Sequence, residues 1–208
     1  MDLRYNTQML KIGLTGGIGC GKTAVANLFR SQGTAIIDAD EIGHALVEPG
    51  QAGLKDIVHR FGTSVLGPDG HLNRAALREI VFGSTTKRKE LEAILHPLIY
   101  RRIEIEIGQT SGPYCIVCVP LLIETDRADY FDRILVVDCP EILQFVRVKA
   151  RDRLDDDQIS RILESQAGRK ERLSAADDVI SNDAELSSLD NQVEKLHNFY
   201  LRLSDGTG

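Results

Sequence analysis

Residues 10–23 read LKIGLTGGIGCGKT, and the glycines crowded into positions 16–21 constrain the chain more than any other feature. Glycine inside a strand or helix costs about 0.5–1 kcal/mol relative to alanine. Gly16, Gly17, Gly19 and Gly21 therefore imply either a flexible turn or a backbone that wraps closely around a ligand. The apolar run LKIGLT reads as a buried strand and the stretch from Lys22 to Gln32 as a helix, so the glycines fall at a strand-to-helix turn. In that context Gly16-Gly17-Ile18-Gly19-Cys20-Gly21-Lys22-Thr23 matches G-x-x-x-x-G-K-[ST], the pattern of a phosphate-binding P-loop. Glycines let successive backbone N–H groups turn inward onto phosphate oxygens. The following helix adds its N-terminal partial positive charge. The candidate nucleotide-binding residues are thus Gly17, Ile18, Gly19, Cys20, Gly21, Lys22, Thr23 and Ala24. Lys22 is expected to reach the β- and γ-phosphates of ATP, and the Thr23 hydroxyl to ligate Mg²⁺.

A run of parallel strands is the expected setting. TAIID (34–38), YCIVCVP (114–120), RILVVD (133–138) and the shorter DDVISN (177–182) are further apolar, β-rich stretches. Continuous Val/Ile runs separated by helices indicate a parallel sheet covered on both faces. Between the second and third strands, residues 40–110 read as mostly helical, and Pro97 is expected to bend or restart the helix that contains it. Leu189, Val193, Leu196, Tyr200 and Leu203 form one helical stripe near the C-terminus, read as core packing.

With 208 residues, 42% hydrophobic and 27% charged, the chain can build a real core. A net charge of −6 argues against a broad nucleic-acid footprint. No stretch has the length of a membrane span, and the first ten residues lack an apolar signal-peptide core. The lead before Leu10 reads as an extension, and the cytoplasm as the compartment. Four cysteines without a secretion signal point to reduced thiols. Cys115 and Cys118 form a C-x-x-C, but positions i and i+3 of a strand face opposite sides, so buried thiols are the simpler reading.

A P-loop alone does not name a function; three further stretches narrow it. Asp38 and Asp40 follow the second strand, where the ends of adjacent strands line a ligand crevice. With the P-loop strand expected beside it, Asp40 can accept a proton from a hydroxyl nucleophile. Both aspartates can equally serve as helix caps, Asp38 above all. In VPLLIE, Pro120 stops the strand, Leu121 and Leu122 form an apolar shoulder, and Glu124 offers an acid near metal or substrate. No aspartate precedes Pro120, so metal ligation rests on Thr23, phosphate oxygens and water. The third stretch, 149–183, carries Arg151, Arg153, Arg161, Arg169 and Arg172. Any one of these can belong to a solvated helix face. Phosphoryl transfer nevertheless needs cations over the moving phosphate, commonly brought by a lid. Arg151 and Arg169 are preferred, and Gln166, Asn182 and Asp183 are weaker candidates for the adenine pocket.

The segments LTGGIGCGKT, IIDADEIGHALVEPG, FGTSVLGPDGHLNRAALREIVF, LEAILHPLI, VPLLIE and AADDVISND, in this order, resemble the dephospho-CoA kinase family along nearly the whole chain. That resemblance implies transfer of the ATP γ-phosphate to the ribose 3′-hydroxyl of dephospho-CoA with Mg²⁺. It also implies a P-loop NTPase-type three-layer α/β fold with a five-stranded parallel sheet, like that of nucleoside monophosphate kinases. The nucleotide-binding core is expected at 10–38, 114–150 and 176–208, a helical acceptor-binding insert at 40–110 and a lid at 151–175. The family's proposed base falls on Asp40. His96, in the H-P pair with Pro97, and Pro120, Leu121, Leu122 and Glu124 fall around the acceptor together with Asp38; taken alone, His96 reads as a helix-packing histidine. Lys22 and Arg151 join Asp40 as catalytic candidates, with Arg169 and Asn182 on the nucleotide.

Three positions depart from the family's usual residues. Cys20 stands where serine or alanine is common, adding a thiol open to oxidation. Ala24 replaces a frequent hydroxyl, and Ala150 a frequent polar residue before Arg151. A sibling small-molecule kinase shares the same loop logic and differs only in the acceptor. A guanine-nucleotide switch would carry N-K-x-D, which VISND does not supply. The expected assembly is a monomer or weak homo-oligomer, without nucleic-acid or membrane partners.

Overall fold

The computed structural model describes residues 9–125, 127–152, 154–183 and 187–206. Arg153 and the lead at residues 1–8 lie outside the described residues. The chain divides into two compact units, residues 38–109 and the remainder on either side of them.

The first unit is built on the five-stranded parallel sheet. Strand β1 (Leu10–Gly16) leads through the glycine turn into helix α1 (Lys22–Ser31), and β2 spans Ala35–Asp38. After the helical unit come β3 (Tyr114–Cys118) and β4 (Arg133–Asp138). The strand order is β2-β3-β1-β4-β5, with β5 at Asp178–Ser181. β1 therefore lies between β3 and β4, with Gly13 opposite both Val117 and Ile134. The expectation that the second strand sits beside the P-loop strand is corrected: β3 intervenes between β1 and β2. The parallel connection from β2 runs through the long helical insertion and returns to the sheet between them.

Every residue of β3 and all but the first of β4 are buried, as central strands covered on both faces require. The main core joins Ile12 and Leu14 of β1, Ile116 of β3, Leu135 and Val137 of β4, and Val25 and Phe29 of α1. Helix α9 (Ser187–Ser204) closes it with Leu189, Val193 and Tyr200. Of the remaining stripe, Leu196 packs against this core as a partly buried side chain. Tyr200 stacks with Phe29 and meets Tyr114 edge-on at 5.4 Å, and its hydroxyl donates to Asp178 at 2.9 Å. All four cysteines are buried thiols.

The second unit is helical. It comprises α2 (Ala39–Ala45), α3 (Ala52–Phe61), α4 (Arg74–Phe82) and α5 (Thr85–Gln109). Of the bend or restart expected at Pro97, the restart does not occur: α5 is one helix on both sides of the proline. Proline removes one N–H from the helical ladder, but a full helical run on each side and packing against α2, α3 and α4 carry the helix past it. A separate small core of Val47, Ile57, Val65 and Leu77 holds this unit together.

Three helices complete the first unit: α6 (Glu141–Asp152), α7 (Asp156–Glu164) and α8 (Arg169–Ser174). α7 begins with a capping box, in which Asp155 accepts from the Gln158 amide at 2.8 Å and the Gln158 side chain accepts from the Asp155 amide at 3.1 Å.

Candidate active site

The P-loop turn is held by its backbone and by side chains that arrive from distant segments. Gly21 caps α1 in the left-handed region at φ 93°, a conformation that favours glycine. A side chain at Gly17 would have its Cβ only 2.5 Å from Gln144 Oε1 and 2.9 Å from an Arg172 nitrogen, so anything larger than glycine would have to displace those two side-chain ends. Lys22 Nζ donates to the carbonyls of Gly16 at 2.7 Å and Gly17 at 3.1 Å, curling back over the loop. Thr23 is exposed on the first turn of α1 and Ala24 is partly buried behind it.

Two of the adenine-pocket candidates instead meet the loop backbone. Gln166 Oε1 accepts from the Ile18 amide at 2.9 Å. Asn182 Nδ2 donates to the Cys20 carbonyl at 2.7 Å, and the Asn182 amide donates to the Asp138 carbonyl at 2.8 Å. Asp183 is exposed beside it.

Arg169 forks onto the buried Asp138 carboxylate, at 2.9 Å from Nε and 2.7 Å from Nη2. Asp138 ends β4, one residue past Val137, which pairs with Gly16 of the loop. This fork raises the Arg169 pKa further and fixes its charge. Arg151 is mostly exposed and forks onto its neighbour Asp152, both bonds 2.7 Å.

The arginine of α6 that reaches the loop is one turn earlier. Arg147 donates to the Gly19 carbonyl at 3.4 Å and to the Asn182 carbonyl at 3.0 Å. Gln144, fully buried, donates to the Cys139 carbonyl at 3.1 Å, and its Oε1 has no hydrogen-bond partner among the described residues. The buried Arg172 donates to the Ala167 carbonyl. Gln144 and Arg147 were missed by the sequence reading, and Arg172 was named there but not preferred. The available signal was the spacing of Gln144, Arg147 and Val148, which share one face of α6.

Cys20 is buried with Cys139, sulfur to sulfur at 3.3 Å. Burial, and then the bond with Cys20, push the Cys139 thiol up to about 12, so it stays protonated and is a poor nucleophile.

VPLLIE behaves differently along its length. The Pro120 carbonyl accepts from the buried Thr15 hydroxyl at 3.2 Å. Leu121 is exposed while Leu122 is fully buried, so the two do not form a shared apolar shoulder; Leu122 belongs to the packing around Gly13. Glu124 accepts from the Ala167 amide at 2.8 Å, tying this turn to the segment before α8.

Within the helical unit, Asp38 is the N-cap of α2, accepting from the amides of Asp40 at 2.9 Å and Glu41 at 3.3 Å. Asp40 is thereby presented on the first turn of α2 and is exposed. It lines a cavity of about 470 Å³ with His44, also from α2, with Arg74 and Arg78 from α4, and with apolar side chains of α3, α4 and α5. His96 is partly buried on α5 and is not among the lining residues.

A parallel sheet with a lysine-bearing glycine turn between its central strand and a helix defines a P-loop kinase fold. The family model for dephospho-CoA kinase matches residues 10–188, and the chain belongs to that family. It is 48% identical to the dephospho-CoA kinase of Methylococcus capsulatus over 94% of this chain and 99% of the relative. A solved structure, TT1252 from Thermus thermophilus, superposes with a TM-score of 0.84 at 30% identity, covering 93% of this chain and 98% of that one. The dephospho-CoA kinase from Campylobacter jejuni superposes with a TM-score of 0.68 at 26% identity, covering 95% and 98%.

Proposed function

We propose that this chain transfers the γ-phosphate of ATP to the ribose 3′-hydroxyl of dephospho-CoA, giving CoA and ADP, the last step of coenzyme A synthesis. The observation that carries the reading is the P-loop turn with Lys22 folded over it, in a chain nearly half identical to a dephospho-CoA kinase over almost its full length. The loop amides and Lys22 bind the ATP phosphates. Asp40 orients the acceptor hydroxyl and takes its proton. Arg169, Arg147 and Arg151 are the cations for charge on the transferred phosphoryl group, and Asn182 holds the loop that receives the nucleotide.

Among the described residues no group of three or more His, Cys, Asp or Glu could hold a metal ion. A hard cation coordinated chiefly by phosphate oxygens and water fits that donor set, with the exposed Thr23 hydroxyl as the protein's ligand. When bound, Mg²⁺ supplies charge neutralisation on the phosphates. No helix among the described residues is long and apolar enough to cross a membrane. We place the activity in the cytoplasm, in a monomer or weak homo-oligomer.

The test is ADP formation from Mg²⁺-ATP with dephospho-CoA, beside AMP, CMP, adenosine and shikimate. Turnover that is strong with dephospho-CoA is the expected result. Preference for another of these acceptors would retain a kinase and discard this substrate; no acceptor-dependent turnover would discard the kinase reading.

A further inference from the structure

Two thiols meet at the P-loop, and phosphoryl transfer uses neither. Cys20 belongs to the glycine turn, and Cys139 directly follows the last residue of β4. Each is 1% exposed, and their sulfurs are 3.3 Å apart. The sulfurs of a disulfide lie about 2.05 Å apart, so an approach of about 1.3 Å would join them. The other two thiols, Cys115 and Cys118, lie three residues apart on β3 and so on opposite faces of that strand.

The two partners are held unequally. On the β4 side, Asp138 is gripped by the Arg169 fork and its carbonyl accepts from the Asn182 amide at 2.8 Å. The Cys139 carbonyl accepts from Gln144, and Pro140 fixes the next φ. Cys20, by contrast, has a glycine on each side, Gly19 at φ 74° and Gly21 at φ 93°. Closing the gap between the sulfurs therefore displaces the loop and not the strand end. The same glycines let the loop open locally with little steric resistance, which a closed pair of buried thiols needs before any reagent can reach it. Burial holds the Cys139 thiol protonated, so Cys20, on the side that opens, is the first to react.

Resting on the reading that the P-loop binds ATP, we propose that Cys20 and Cys139 form a peroxide-sensitive thiol–disulfide switch that shuts the nucleotide site. In the first step the Cys20 sulfur attacks one oxygen of hydrogen peroxide; the O–O bond breaks, Cys20 becomes a sulfenic acid and one water leaves. In the second the Cys139 sulfur attacks the Cys20 sulfur; the S–S bond forms, the S–O bond breaks, and the departing hydroxide takes the Cys139 proton as a second water. Two thiols and one peroxide thus give one disulfide and two waters, with two electrons passing from sulfur to oxygen. A dithiol reverses the bond by exchange. The cross-link draws the loop backbone toward β4 and away from the geometry in which its amides meet phosphate. Bound nucleotide, held by those amides, keeps the loop closed and so protects the pair.

The experiment treats the reduced wild-type protein with hydrogen peroxide, with and without Mg²⁺-ATP, and then alkylates the remaining thiols in denaturant. Peptide mass spectrometry identifies which cysteines are joined, and steady-state turnover with dephospho-CoA at varied ATP follows function. The expected result is a linked Cys20–Cys139 peptide and a kcat/KM for ATP lowered on the order of 100-fold, the loss that a shift of about 1 Å can cause. Dithiothreitol should restore it, and ATP present during treatment should slow the joining. Cys139→Ala should keep the untreated activity, form no linked peptide, and leave a Cys20 sulfenic acid that dimedone captures. The proposal is overturned if both thiols are still alkylated after a peroxide dose that oxidises added glutathione. It is equally overturned by a linkage between other cysteines, or by a Cys20–Cys139 linkage that leaves kcat/KM unchanged. These outcomes are read on wild type, so they decide the matter even where Cys139→Ala melts early. Reduced wild type without ATP-dependent turnover would instead overturn the ATP-site reading, and that is measured first.

Discussion

Around the P-loop, the ligand-facing groups are backbone, and the side chains that fix them are drawn from elements far apart in sequence: Gln166, Asn182 and Arg147 all bond to loop amides or carbonyls, and Gln144 fills the space against Gly17. The loop sits at the end of the central strand of a large core. Around the cavity of residues 38–109, the ligand-facing groups are side chains on short helices, backed by a small separate core. The first arrangement tolerates little change because a backbone amide cannot be moved without moving its strand and helix. The second is set by the identity of a few side chains, which is where recognition of one particular acceptor is most easily encoded. On the proposed function, a phosphate common to many nucleotides would be met by rigid main chain, and an individual substrate by replaceable side chains.

Substitutions on the two sides should break this contrast in ranked order. Asp40→Asn should lower kcat by about 10²–10⁴-fold while leaving ATP affinity, followed by calorimetry, unchanged. Near-normal turnover would remove Asp40 as the base. Lys22→Met should cost about 10²–10³-fold in kcat/KM, with a thermal melting curve close to wild type. On the rigid side, Gly17→Ala forces its Cβ against Gln144 and should destabilise the fold by about 1–3 kcal/mol and weaken ATP binding. The paired variant with Gln144→Ala should restore part of both, since it empties the contested space. Asp38→Ala should remove the α2 cap, at about 1 kcal/mol, and blur the contrast by loosening the turn that carries Asp40; denaturant unfolding measures it.

The smallest effect is a pH dependence at residues that belong to neither site. His197 lies 2.7 Å from the Tyr114 hydroxyl and 3.4 Å from Thr34 Oγ1, and burial lowers its pKa from the usual 6.5. The unfolded chain therefore binds a proton before the folded one does. Stability is full above pH 6.5 and declines as pH falls from there through the folded pKa. His197→Gln should flatten that decline in melting curves taken between about pH 5 and 8.

The glycine turn and the Val/Ile runs were legible because each is a local statement: a backbone that must approach something, and strands covered on both sides. The strand order was not, because nothing local in TAIID says which neighbour it takes, and β3 from much later in the chain occupies the place beside β1. The restart expected at Pro97 misled for the opposite reason. Its local cost is real, but α5 is packed on three other helices and carries that cost without stopping. Leu121 and Leu122 look alike in sequence, and only the turn after β3 sends one outward and the other inward. Among the arginines, charge density drew the reading to 149–183 and past Arg147 just before it, whose approach to Gly19 depends on how α6 lies against the loop. Asp38 was divided between capping and substrate binding, and its carboxylate caps α2.

The curl of Lys22 over the Gly16 and Gly17 carbonyls has a thermodynamic consequence. A phosphate that takes the ammonium group replaces existing charge-assisted bonds, so the lysine's contribution to nucleotide affinity is a difference between two sets of acceptors. Replacement of the lysine would leave the carbonyls to water and also remove that competition, and the measured loss in binding should fall short of the full strength of a lysine–phosphate bond. The larger loss should appear in the rate, where charge gathers on the phosphoryl group and the carbonyls have nothing comparable to offer.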